Sequence, residues 1–277
     1  MYVKDLPSFK DMPTVAGMPH GTAWGLFDKN GERDNCGTIN LLTPENTLEA
    51  SKEIKSGKSV ALNWSQDRIH EPGFGREVPN HTIRDLAPFG IKAYDDVISI
   101  NTQSGSQWDG FRHWAHQATS LYYNNLPHSE ISSPLPETPC KNRIDAWTTR
   151  GGIVGRAVLI DYVAYAQRHN ISYSPVTRHE ISVEIEKIAK EQGVIFKEAD
   201  ILIVRSGFVK WYEEANTEEC IRGAKNAHDG CPIGELWNLE ELAKVCAEQN
   251  RYSFFFTSAP LNFPGGVASP PNAVAIF

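Results

Sequence analysis

From about residue 150 onward, continuous apolar runs alternate with segments of helical period, and few architectures accept that alternation. The runs are "GRAVLIDY", "ADILIVRSG" and "RYSFFFTSAPLN". Apolar stretches of strand length with no polar alternation are buried on both faces, which requires cover above and below a sheet. The segments between them supply that cover. "TRHEISVEIEKIAKEQG" repeats Ile181, Ile185 and Ile188 at helical spacing, with Thr177 and Glu180 in a capping-box pattern and Gly193 as its stop. "NLEELAKVCAEQN" has Asn238 and Glu241 as cap and partner, and Leu239, Leu242, Ala243 and Cys246 as a buried stripe. "DYVAYAQRHN" reads as a short helix after the first run. The fold class is therefore α/β.

The first half is less regular and richer in Gly, Pro, Asn and Asp. Within it, "KSVALNW" and "DVISIN" read as short strands. A helix is expected from about Pro44 to Ser56, with Thr43 as N-cap, Pro at the first helical position, and Leu48 and Ile54 turned inward. No repeat or linker divides the chain, so residues 1–277 are expected to form one domain, with 1–20 as an N-terminal arm.

Charge and cysteine usage narrow the partners. The formal net charge is −7 with no Lys/Arg cluster, which argues against a nucleic-acid surface. No apolar run approaches the roughly 20 residues of a membrane helix, and the N-terminus lacks a signal-like apolar core. The five Cys (36, 140, 220, 231 and 246) form no close pair; reduced thiols in the cytoplasm are expected. The apolar tail "PLNFPGGVASPPNAVAIF" suggests cover by a second copy, hence a homodimer or larger oligomer.

Chemistry concentrates in "NTQSGSQWDGFRHWAHQ", 101–117. If that segment is extended, Gln103, Gly105, Gln107 and Asp109 line one face. Asp109 and His113 can then pair, the carboxylate orienting the imidazole and raising its pKa. Each residue also has a plainer reading. Asp109 can cap a turn, His113 can be a loop histidine, and the two Gln can satisfy buried backbone groups. Glu235, ahead of the Asn238 helix, can simply answer the helix dipole. Trp24, Trp64, Trp108 and Trp114 can wall a planar substrate or fill the core. His116 reads as structural.

"QSGSQWDGFRH" resembles H-x-G-T-H-x-D-x-P-x-H, the motif of the cyclase family, whose best-known members are bacterial kynurenine formamidases and isatin hydrolase. "GTINLLTPE", "PIGELWNLEEL" and "FFFTSAPLNFPGGVASPPNAVAIF" resemble further landmarks of that family, from about residue 20 to the end. The resemblance implies a swivelling β/β/α fold, with a central mixed sheet or barrel and flanking helices. It also implies a divalent metal (zinc, manganese or magnesium) on Gln103, Gln107, Asp109 and Glu235, and an acid/base role for His113. Here Gln stands at both histidine ligand positions. An amide oxygen is a neutral and weaker donor than imidazole for zinc, so any cation would be held loosely. The 208–234 region looks short for the family, and His228 in it is either a remnant ligand or a loop residue.

Three functions follow from this. The first is hydrolysis of a small amide, lactam or lactone, with Gln103, Gln107, Trp108 and Glu235 against the substrate and His113 and Asp109 moving protons. The second is metal-independent lyase, dehydratase or cyclase chemistry of secondary metabolism. The third is a pseudoenzyme that binds a ligand or a partner chain.

Overall fold

The central sheet is built around the strand that the sequence marks most clearly. In the computed structural model, which describes residues 6–131, 141–177, 181–216 and 234–277, the strands in chain order begin with β1 (Ser59–Ala61), β2 (Asn80–Asp85), β3 (Tyr94–Ser99), β4 (Gln107–Asp109), β5 (Leu121–Tyr122) and β6 (Leu126–Pro127). They continue with β7 (Ile153–Asp161), β8 (Ile201–Arg205), β9 (Gly234–Glu235), β10 (Ser253–Ser258), β11 (Ala268–Ser269) and β12 (Ala273–Ile276). Five of these form one sheet in the order β1-β12-β10-β7-β8. β7 pairs antiparallel with β10 and parallel with β8, so the sheet is mixed. It is open, with β1 and β8 at its edges. The barrel alternative is thereby corrected: no closed barrel occurs among the described residues.

β7 shows why its sequence carries no polar alternation. Ala157 and Leu159 face a core shared with Phe254, Phe256 and the Glu240–Glu248 helix through Leu242, Val245 and Cys246. Ile160 faces the other way, into a cluster of Tyr162, Tyr165, Ala166, Ile188 and Ala189 contributed by the Tyr162–Arg168 and Ser182–Glu191 helices. Ile181 and Ile185 pack on that second cluster, as their spacing predicts. Gly193 follows with φ +65, the left-handed conformation that stops the helix. Asp161 accepts the Ala164 N–H at 3.0 Å and caps the helix after β7. Glu180 of the expected capping box lies outside the described residues. Asn238 does act at the later helix, accepting the Glu240 N–H at 3.2 Å.

Two expectations fail on burial. Thr43 caps the Pro44–Ala50 helix as predicted, accepting the Asn46 N–H at 3.2 Å. Leu48, however, is 72% exposed, and Ile54 is also exposed. The helix docks through Ala50, which is buried, and through the Thr47 hydroxyl, which donates to the Val154 carbonyl of β7 at 3.1 Å. Much of the C-terminal tail is received within the chain, while Leu261 and Phe263 stay exposed. β12 lies between β1 and β10, and Phe277 is fully buried, its carbonyl accepting the Ser56 and Gly57 N–H groups. β2 and β3 form a separate two-stranded ribbon, exposed along its whole length. Among the described residues no helix is long and apolar enough to cross a membrane.

Candidate active site

A second, small sheet carries the chemistry. β4 lies between β11 and β9, with Gln107 opposite Glu235 and Trp108 opposite Gly234. Alternation along a strand sends Gln107 and Asp109 to one face and Trp108 to the other. On its own face Trp108 enters the core. Its ring lies edge-on to Trp237 at 4.9 Å and to Trp147 at 6.1 Å, and its Nε1 donates to Ser258 Oγ at 2.8 Å. Trp108 thereby supports the strand that carries the site, and it also lines a cavity on that side of the small sheet. Trp64 is buried too, against Tyr212.

Two glycines allow this sheet to pack closely. A Cβ on Gly234 would sit 2.4 Å from the Trp237 ring, and one on Gly110 would sit 2.3 Å from the Val267 carbonyl oxygen. Gly110 directly follows Asp109, so Gly110→Ala must move the backbone that aims this carboxylate. We expect that variant to lose about 1–3 kcal/mol of stability, seen as a lower Tm, together with most of its activity.

Gln103 reaches the site by a turn, where an extended segment had been expected. The Asn101 side chain accepts the Gln103 N–H at 3.0 Å, and the Asn101 carbonyl accepts the Ser104 N–H at 2.9 Å. The Gln103 amide thereby returns over β4. Its Nε2 donates to Asp109 Oδ1 at 2.7 Å. Gln107 Nε2 lies 2.7 Å from Gln103 Oε1, 3.1 Å from Glu235 Oε2 and 3.3 Å from Asp109 Oδ1. Gln103, Gln107 and Asp109 are all buried. Of the five side chains expected to converge, Gln103, Gln107, Asp109 and Glu235 are joined by these bonds, and His113 is not.

The cluster is short of protons. Its two amides supply four N–H groups to two carboxyl groups and two amide oxygens, and Gln107 Oε1 is buried without a hydrogen-bond partner. Burial pushes the Asp109 carboxyl up to about 6, against the opposing effects of the Gln103 bond and the Arg76 charge. Burial and the Asp109 charge push Glu235 up to about 7. Both carboxyls are thus held well above the ordinary carboxylate range, Glu235 above Asp109.

His113 departs from its expected part. It forms no hydrogen bond with Asp109. Burial, and then the Arg76 charge, lower its pKa to about 4, so it is a neutral imidazole where a raised pKa had been expected. Its ring lies 6.0 Å from Trp114, and Trp114 lies 6.3 Å from Phe74. Both of these neighbouring aromatics are exposed. His116 is structural, bonded to Thr119. His228 lies outside the described residues. Arg76 gave no sequence signal, yet it acts electrostatically on Asp109, Glu235 and His113. A single Arg in a Gly/Pro loop has no periodicity or motif to reveal it.

The metal implied by the resemblance can be tested against these donors. Zinc sites take His, Cys and carboxylate, usually four ligands. Here the position common to both carboxyls is held by an amide N–H donor, and among the described residues no group of three His, Cys, Asp or Glu could hold a metal ion. The set does not fit zinc. A cavity of about 810 Å³ opens on the Trp108 side of the small sheet; Trp108, Trp147, Phe208 and Glu235 line it, but Gln103, Gln107, Asp109 and His113 do not.

A family profile described as "Putative cyclase" matches residues 74–252. Among solved structures, one described as a novel cyclase is 25% identical, with a TM-score of 0.78 over 92% of this chain and 99% of its own. Isatin hydrolase A from Labrenzia aggregata, bound to benzyl benzoate, is 16% identical with a TM-score of 0.46, covering 84% of this chain and 98% of its own. No curated protein matches the sequence.

Proposed function

The chain belongs to the putative cyclase family, and we propose that it is a hydrolase of small esters, lactones, lactams or amides, driven by a carboxyl pair. The observation behind this reading is the buried network in which the Gln107 amide bridges Asp109 and Glu235, with burial raising both carboxyls and Glu235 the more. Such a split assigns a base and an acid within one site. Ionised Asp109 takes a proton from the water that attacks the substrate carbonyl. Protonated Glu235 gives its proton to the departing oxygen or nitrogen. Each turnover leaves Asp109 protonated and Glu235 ionised, and proton exchange through solvent restores the pair. The Gln103 amide holds Asp109 in place. His113, uncharged above about pH 4, acts as a neutral hydrogen-bond partner of the substrate. The same pair could instead drive an elimination, in which the product loses a water and does not gain one.

The test is turnover of a panel of small esters, lactones and amides, followed by product mass. At least one substrate should gain one water, and His113→Ala should cost less than loss of either carboxyl. A panel with no turnover, or turnover unchanged in both carboxyl variants, would sink the proposal. The base requires pH above about 6 and the acid requires pH below about 7. Activity should therefore peak between those values and fall on both sides. Restoring the family pattern makes a separate test. Gln103→His with Gln107→His places two imidazoles beside two carboxyls, and metal analysis should then find stoichiometric zinc where the parent protein holds less.

A further inference from the structure

Cations held inside this molecule are answered in two ways: Arg112 donates to the Gly265 and Ile131 carbonyls, and others pair with carboxylates. Arg156 lies between Glu53 and Asp200, and Arg205 between Asp161 and Glu240. Burial of a charge is tolerated on those terms. Arg76 is half-buried, and among the described residues no carboxylate comes within ion-pair distance of it. One of its N–H groups donates to the Gln103 carbonyl at 2.9 Å, and its guanidinium carbon lies 5.2 Å from the centre of the Phe74 ring. The remaining N–H groups have no acceptor among the described residues. Asp109 and Glu235 act on the Arg76 charge without forming an ion pair with it.

The surroundings of the guanidinium are specific. Its N–H fork meets no carboxylate among the described residues, yet the acid/base pair is near enough to act on its charge. Phe74, 65% exposed, and Trp114, 43% exposed, present their rings beside it. A guanidinium fork matches a carboxylate with two parallel hydrogen bonds, and exposed aromatic rings suit a flat apolar body. We infer that Arg76 anchors a carboxylate on the substrate, whose planar part lies against Phe74 and Trp114 and whose reacting carbonyl is presented to Asp109 and Glu235. The substrate class is then a small, planar carbonyl compound that carries a carboxylate. The inference rests on the acid/base reading only for the position of the reacting carbonyl.

Benzoate serves as the probe and benzamide as its uncharged counterpart, with binding to the full chain at neutral pH measured by calorimetry. Benzoate should bind the parent protein more tightly than benzamide. Arg76→Gln should weaken benzoate by about 10- to 100-fold, the scale of a hydrogen bond to a charged group, and leave benzamide unchanged. Arg76→Lys, which keeps the charge but loses the fork, should fall between. Equal binding of benzoate by the parent and Arg76→Gln, equal binding of the two probes, or no benzoate binding at all would overturn the inference. Asp109→Asn separates the two readings. It should retain benzoate binding while losing turnover; if it retains both, the acid/base reading fails and the anchor stands.

Discussion

Asp109→Asn and Glu235→Gln each lower kcat/KM by about 10²–10⁴-fold, the usual worth of a positioned general acid or base. Neither change removes a side chain that holds the fold. Asn and Gln preserve shape, and the bonds from the Gln103 and Gln107 amides still have an oxygen to reach. What disappears is the ability to exchange a proton. The Glu235 variant has a second signature. A carboxyl whose folded pKa is raised binds its proton more tightly when folded, so its contribution to stability is fully present below about pH 4.5. That contribution is lost as pH rises through about 7. Glu235→Gln removes this loss. The variant should match the parent in Tm at pH 4 and exceed it at pH 8, while its activity falls. A merely structural glutamate would lose stability on substitution at both pH values.

Phe256→Ala should cost about 3–5 kcal/mol, a large share of the roughly 5–15 kcal/mol that holds a domain folded. Phe256 is fully buried in β10, and its ring stacks on Trp237 at 5.8 Å with planes 3° apart. Trp237 in turn donates from Nε1 to the Gln107 carbonyl at 3.1 Å. The cavity therefore opens directly under β4. Denaturant unfolding should show the loss in stability, and residual activity should fall further than the folded fraction does, because Gln107 loses its support. Leu48→Ala is the control. Helical spacing alone would rank Leu48 with the core, but at 72% exposure its truncation should change stability by less than about 0.5 kcal/mol.

That contrast shows what local pattern can carry. β7 was legible because a strand buried on both faces has no room for polar residues, and its sequence has none from Ala157 to Ile160. The Ser182–Glu191 helix was legible because Ile181, Ile185 and Ile188 must share a face to be covered. Leu48 was misread because the Pro44–Ala50 helix is short and docks through a small residue and a hydroxyl, which leave no apolar stripe. The burial of Phe277 inside its own chain was not legible, because composition marks the tail as apolar without saying which sheet receives it. At the site, the dense motif announced Gln103, Gln107 and Asp109, and Glu235 stood in a matching landmark. The His113–Asp109 pair was not realised, because the two Gln amides already occupy Asp109 and Arg76 disfavours a charged imidazole nearby. Arg76 itself acts through space from a loop, and no spacing rule reaches it.

The proposed mechanism requires Asp109 and Glu235 to differ in protonation near neutral pH. It is tested most directly by carboxyl ¹³C NMR titration of the protein, with Asp109→Asn and Glu235→Gln used for assignment. One carboxyl should titrate near 7, vanish in Glu235→Gln and move down in Asp109→Asn, where the neighbouring charge is gone. Two carboxyls titrating independently in the ordinary range near 4 would contradict it.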